Sequence, residues 1–327
     1  MGVTIKDVAR KSGYSITTVS YALNGRREIP DKTKEKINSV AKELNYVPSA
    51  YASTLKRQKS FNIGVFVADF DGPVHQTIIS GISKGINEAK SPYKLFATVA
   101  KSSMDMIKSK IVDLAIIMDS RVSNSEVIEM AKIVPVITFD KKIEGANIYY
   151  TDMTNFEGVY DAVDKLFHKG ARHIAYLLGP ERSYHNQMRF NGYKKALVDL
   201  KLDFNKNIVF NANLFIEDAG YKTINDYLDH NDLNFDSLIC ANDELAIGAM
   251  RALSEHKINV PRDVMVCGFD NIMLAHYTNP TLSTVSVDWL DYGRKIAKYA
   301  IDILSNKVKN NEPLIIETSF VERESTE

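Results

Sequence analysis

Hydrophobic positions in the first fifty residues recur at helical spacing over three short stretches. In "TIKDVARKSG", Ile5, Val8 and Ala9 share one face, Thr4 and Asp7 have capping-box spacing, and Gly13 marks the end. In "YSITTVSYALNG", Ser15 is a good N-cap, Ile16 to Leu23 can be helical, and Gly25 sits where a left-handed C-cap glycine belongs. A third helix is predicted from about Lys32 to Asn45, with Ile37, Val40, Ala41 and Leu44 at i, i+3, i+4 and i+7. Two short helices joined by a glycine-containing turn make a helix-turn-helix candidate, although a plain three-helix cap would show the same pattern. Val19, Ala22 and Leu23 would face the first helix, leaving Ile16, Thr17, Thr18, Ser20 and Tyr21 outward. That outward face is uncharged and suits base edges.

The pattern changes at Asn62. Short apolar runs, "NIGVFVA", "YKLFATVA", "DLAIIM", "PVITF", "HIAYLLG", "NIVFNA", "SLICAND" and "VMVCGFD", alternate with amphipathic helices such as 155 to 168 and 244 to 255. Such alternation predicts parallel sheets covered by helices on both faces. Some 260 residues are long for one such sheet and suit two. Ligands of open parallel sheets lie beyond the carboxyl ends of the strands. Asp140, Asn242, Asp243 and Asp270 occupy those ends, where each could bond ring hydroxyls or merely cap a helix or close a turn. Asp243, directly before a helix, reads best as a cap. Asp69 and Asp71 in "VADFDGPVHQ" are further cleft candidates.

Charge separates the two parts. The whole chain balances at 41 Lys+Arg against 41 Asp+Glu, yet residues 1 to 60 carry twelve basic and five acidic side chains, about +7, leaving about −7 on the remainder. A basic head on an acidic body fits a nucleic-acid-binding head, because phosphates supply most of the sequence-independent affinity. No run approaches 18 apolar residues, and "MGVTIKDVARK" lacks the form of a signal peptide, so a soluble, cytoplasmic protein with no membrane partner is expected. Cys240 and Cys267 lie in apolar runs without metal or redox spacing and read as buried free thiols. No phosphate-loop, dinucleotide, zinc-protease or nucleophile-elbow motif is present, and the seven histidines are scattered. The expectation is a non-enzyme that uses no metal or cofactor.

"TIKDVARKSGYSITTVSYALNG", followed by "TKEKINSVAKELNYVPSAYASTLK", resembles the DNA-binding head and hinge of the lactose/galactose repressor family of bacterial transcription regulators, without a gap from Thr4 to Lys56. The resemblance implies a helix-turn-helix head at 1–47, a hinge helix at 48–60, and a type I periplasmic-binding-protein-like α/β core at 61–327 made of two doubly wound parallel-sheet subdomains. The first would take about 62–153 and 286–316, the second about 154–285 and 317–327. It further implies that Ile16, Thr17 and Tyr21 read bases, that Thr4, Ser15, Thr18 and Asn24 hold the DNA backbone, and that Ala52 and Leu55 enter the minor groove from the hinge. Arg189, early in a helix, matches an arginine that reaches into the cleft, and Phe215 and Trp289 match aromatic positions lining it. As core aromatics those two would be equally unremarkable.

The resemblance implies a homodimer on a pseudo-palindromic double-stranded operator, controlled by a small-molecule effector, a sugar or sugar derivative. A catabolite-control regulator whose core docks a phosphorylated protein is the alternative. The sequence departs from the family at Tyr14, Lys34 and Pro30, the last standing where a capping serine is common. "ATVAKSSMDMIKSKIVDLAIIM" is short between its two strands and leaves little room for a full helix.

Overall fold

The computed structural model describes residues 3–23, 28–46, 59–139, 141–308 and 312–327. The chain divides into two compact units, Met1–Ser60 and Phe61–Glu327.

In the first unit, α1 (Ile5–Ser12), α2 (Ile16–Leu23) and α3 (Asp31–Glu43) surround one small core. Val8, Val19 and Ile37 are fully buried there, with Ala9, Ala22 and Ala41 beside them. The expected caps are present. The Asp7 carboxylate accepts from Thr4 N at 2.9 Å, Ser15 Oγ accepts from Thr18 N at 3.1 Å, and Gly13 adopts φ 76° to close α1. Pro30 caps α3 without a side-chain bond, leaving Asp31 to supply first-turn negative charge. Gly25 lies outside the described residues.

The second unit contains two six-stranded sheets. In chain order the first lobe starts with β1 (Asn62–Val67), α4 (Pro73–Glu88), β2 (Lys94–Val99), α5 (Ser103–Lys108), β3 (Leu114–Met118), α6 (Asn124–Ala131), β4 (Val136–Thr138) and β5 (Ile148–Met153). The chain then forms α7 (Asn155–His168), β6 (Ile174–Leu178), α8 (Tyr184–Asp199), β7 (Val209–Asn211), α9 (Glu217–Leu228), β8 (Ser237–Cys240), α10 (Asp243–Glu255), β9 (Met265–Asp270) and β10 (Ser283–Ser286). It ends with α11 (Trp289–Leu304), β11 (Leu314–Ile316) and β12 (Ser319–Val321). The sheets run β11-β5-β4-β3-β1-β2 and β12-β10-β9-β8-β6-β7, every pairing parallel except β10 with β12. Six of the eight apolar runs became interior strands and two, β2 and β7, lie at sheet edges; β1 is buried from Ile63 to Val67, as both-face coverage requires.

Four strands escaped the hydrophobic pattern. β5, "IYYTDM", and β10, "STVS", carry polar residues that the sheet nevertheless buries, Thr151, Ser283 and Thr284 among them. β11 and β12 have only three residues each. The short segment between β2 and β3 forms a 3-10 turn and the six-residue α5, whose Ile107 is fully buried.

The chain passes between the sheets three times, after β5, after β10 and after β11. Two of these crossings are stitched together: Thr318 N donates to Thr154 Oγ1 at 2.8 Å, Thr318 Oγ1 to Thr154 O at 3.0 Å, and Thr154 N to Ile316 O at 3.0 Å. The third crossing leads into α11, which packs on α4 so closely that a Cβ on Gly81 would lie 2.3 Å from Leu290 O, and one on Gly293 2.3 Å from Ile78 O.

Candidate functional site

On the head, α2 presents Ile16, 46% exposed, and Thr17 to solvent, with Thr18, Ser20 and Tyr21 half-buried along the same side. Ser15 and Thr18 are joined, Oγ to Oγ1 at 2.8 Å, so the cap fixes both proposed backbone contacts. Thr4 is held by Asp7 through its N and its Oγ1, and these bonds keep the Asp7 carboxyl below its ordinary range. Lys36 lies over the Tyr14 ring, 5.3 Å from its centroid. Asn24, Ala52 and Leu55 lie outside the described residues.

In the core unit, the carboxyl ends of β1 and β3 in one sheet and of β6, β8 and β9 in the other open onto one cleft of about 560 Å3. Arg189, Phe215, Asn242, Asp270 and Trp289 all line it, as do Asp69 and Asp71. Asp140 lies outside the described residues; its neighbour Phe139 lines the cleft.

Arg189 projects from the second turn of α8 and is 4% exposed. Its Nε donates to Asn155 Oδ1 at 2.9 Å and its Nη1 to Ala241 O at 2.5 Å, with the guanidinium 3.5 Å over the Phe269 ring. Its Nη2 stands 3.6 Å from Asp270 Oδ1. The charge is therefore fixed in place, aimed at the carboxylate rather than at solvent. Asp270 ends β9 with φ 113°, a conformation that L residues rarely adopt, and its carbonyl accepts from Trp289 Nε1 at 2.7 Å. Burial pushes its carboxyl up to about 7, and the Glu244 charge adds to this, against the pull of Arg189.

Asn242 is the N-cap of α10, its Oδ1 accepting from Leu245 N at 3.0 Å while Nδ2 donates to Phe215 O at 3.3 Å. Asp243, which the sequence suggests as the cap, is instead fully buried, accepting from Thr284 Oγ1 at 2.6 Å and Ile272 N at 2.8 Å. Its carboxyl is raised well above the usual range, by burial first and then by Asp270. Phe215 packs against Gly179, where a Cβ would meet its ring at 2.2 Å. Trp289 is 6% exposed and stacks on Tyr292 at 5.9 Å, so it is at once core and cleft wall.

Sequence reasoning missed several partners. Asn155, 1% exposed, orients Arg189 and contacts His185 Nδ1 at 2.9 Å, but its position at a helix start looks like any N-terminal residue. Glu244, His75 and Asp119 also line the cleft. Asp119 is the one with a signal, a carboxylate just after the apolar β3; Arg121 pairs with it at 2.9 Å. With fixed donors and acceptors between aromatic walls, the cleft can bond a hydroxyl-rich ring at its rim and cover its apolar faces. Among the described residues, no helix is long and apolar enough to cross a membrane, and no group of three His, Cys, Asp or Glu could hold a metal ion.

Comparison with known proteins agrees with both units. Residues 4–49 match the model for bacterial regulatory proteins of the lacI family, and residues 163–326 match the periplasmic binding protein-like domain. The chain is similar to the HTH-type transcriptional regulator RegA of Clostridium saccharobutylicum, 31% identical over the whole of both chains. It shares its fold with the Lac repressor dimer bound to operator and an anti-inducer, with TM-score 0.83 and 23% identity over 100% of this chain and 99% of that one. A LacI family transcriptional regulator from Enterococcus faecium with bound ribose is 28% identical, with TM-score 0.70 over 81% of this chain and 98% of that one. The chain is a member of the lacI family of bacterial regulatory proteins, a DNA-binding transcriptional regulator with a helix-turn-helix head and a periplasmic-binding-protein-like body.

Proposed function

We propose that the protein is a homodimeric repressor of carbohydrate-utilisation genes whose affinity for a pseudo-palindromic operator is set by a sugar or sugar derivative in the core cleft. The observation that carries the effector reading is the gathering of Arg189, Asp270, Phe215 and Trp289 on one cleft: a fixed cation and a carboxylate within a ligand-sized space that aromatic rings also line. The ribose-bound Enterococcus faecium regulator supports a sugar of this kind. On the head, Thr17 offers a hydroxyl to a base edge and Ile16 an apolar surface to a thymine methyl, with Tyr21 on the same side.

A second copy of the chain accounts for the exposed apolar segment after β9. Met273 and Tyr277 are each 76% exposed and Leu274 50%, three large apolar side chains within five residues. Docking of a phosphorylated protein would need free basic surface on the first lobe, and Arg294 and Lys295 there are paired with Glu88 and Asp291.

The test is thermal unfolding of the full chain against a panel of mono- and disaccharides. A true effector at 100 times its dissociation constant stabilises by about 2.7 kcal/mol and moves the midpoint by several degrees. Phe215→Ala should weaken that ligand roughly tenfold, the loss of one ring face at about 1.4 kcal/mol, and should also lower the unliganded midpoint, because the ring packs against Gly179. A panel without any shift would end the sugar reading.

A further inference from the structure

Charge in the cleft is lopsided. Among the described residues, Asp69, Asp71, Asp119, Glu244 and Asp270 line it, against two arginines, Arg182 and Arg189. Asp119 is answered by Arg121, whose Nε donates to Oδ1 and Nη2 to Oδ2, each at 2.9 Å. Arg189 gives hydrogen bonds to Asn155 Oδ1 and Ala241 O and stands 3.6 Å from Asp270 Oδ1. Arg182 lines the cleft from an exposed position, where solvent and salt screen it.

Glu244 and Asp270 come from neighbouring parts of one sheet. Asp270 ends β9, and Glu244 stands in the first turn of α10, which follows the adjacent strand β8. Asp270 is 7% exposed, yet its carboxylate accepts no hydrogen bond among the described residues. Glu244 is half-buried and has neither a hydrogen bond nor an ion pair among them. A carboxylate taken out of water is ordinarily surrounded by donors, because uncompensated burial of a charge is costly. Burial holds both carboxyls above their ordinary range, and the Glu244 charge raises Asp270 further. The donors this pair lacks have to come with the ligand, and a ligand that brings positive charge answers both carboxylates at once.

The first lobe turns the opposite charge away. α4 begins at the cleft with Gly72 and Pro73, and a helix start by itself favours an anion. Asp69 and Asp71 directly precede it and line the same space, so a phosphate or a sugar acid entering there meets negative charge.

We infer that the effector is a sugar carrying a protonated amine, and that Glu244, together with Asp270, selects it by receiving the ammonium. This rests on the carbohydrate-effector reading above and narrows it to one chemical class. A neutral parent sugar can still bond Asp270, but it leaves the Glu244 charge unanswered. An N-acetylated sugar has the bulk of the substituent without its charge. Hydrogen bonds between an ammonium and a carboxylate are roughly twice as strong as neutral ones, which gives the amine its advantage.

The experiment is calorimetric titration of the full-length protein at about pH 6.5, where the amine is protonated. Glucose, galactose and mannose are each compared with the 2-amino sugar, its N-acetyl form and the 6-phosphate of the parent. At least one amino sugar is expected to bind about tenfold or more tighter than both its parent and its N-acetyl form, and no phosphate tighter than its parent. Glu244→Gln keeps the shape of the side chain and removes its charge, and the preference for the amine falls toward 1 in it. A preference that survives this change overturns the assignment of Glu244. Amines bound no tighter than the neutral forms, a phosphate bound tightest, or no amine bound at all overturns the proposal from the wild type alone, whether or not the variant folds. The carbohydrate-effector reading fails separately, when the thermal panel of mono- and disaccharides gives no shift.

Discussion

Near neutral pH the Asp270 carboxyl is divided between two protonation states, because burial has pushed it up to about 7 against the pull of Arg189 3.6 Å away. Its ordinary value is near 3.8, so the folded protein holds a proton there that the unfolded chain releases. The stabilisation from this group is present below about pH 4 and is lost as the pH rises toward 7. Ligand hydroxyls donate best to the ionised form, so binding a neutral sugar should expel a proton. Calorimetry at pH 6.5 in two buffers of different ionisation enthalpy should show release of a fraction of one proton, with affinity rising from pH 6 to 8. Proton uptake would mean that Asp270 acts as a donor to the ligand. Asp270 is legible in the sequence because it follows an unbroken apolar strand. Asn155 is not, since nothing local distinguishes an asparagine that orients a buried arginine from one that starts a helix. The choice between Asn242 and Asp243 as the cap escapes local reading for a related reason. Either can cap a helix, and burial against Thr284 and Ile272, both far along the chain, decides it.

Helix pairing sets the cleft's second wall. α11 begins at Trp289 and is held to α4 by a close approach at Gly81, Gly85 and Gly293; backbone stands opposite Gly81 and Gly293, and the Ala297 Cβ with the Arg294 backbone opposite Gly85. A Cβ on Gly293 would come 2.3 Å from Ile78 O, so the two helices would have to part. Gly293→Ala should destabilise the core unit by about 1 to 3 kcal/mol in urea unfolding, despite alanine's better helix propensity. It should also shift Trp289 and weaken the ligand. A stabilised variant would show that this contact gives easily. On the head, Ser15→Ala removes the acceptor of Thr18 N and should cost about 1 kcal/mol, read in the unfolding of that unit. An unchanged midpoint would mean that water replaces the cap at no cost. The helices of the head are legible because their caps and apolar faces are local. Six of the eight apolar strands are legible because interior parallel strands are buried on both faces, and the edge strands β2 and β7 because their runs are still mostly apolar. β5 and β10 are not, because "IYYTDM" and "STVS" bury polar groups whose partners lie elsewhere in the fold. Thr284, for instance, is satisfied by Asp243.

At the scale of the molecule, charge and ligand chemistry fall on different units. The head carries about +7 and the rest about −7, so salt should act on DNA binding and leave the cleft alone. Raising salt from 50 to 200 mM should lower operator affinity at least about tenfold through counterion release, while the affinity for a neutral sugar changes little. That division is visible in the sequence without any knowledge of contacts. The proposed control of the head by the cleft is not, because it depends on which residues far apart in the chain line one cleft. The most direct test of the proposed function is therefore the operator affinity of the full-length protein, measured by anisotropy at about 150 mM salt with and without a saturating sugar. A change of 5-fold or more in either direction is the expected result. Equal affinities, with the sugar shown by calorimetry to be bound, would contradict the claim that the cleft controls the head.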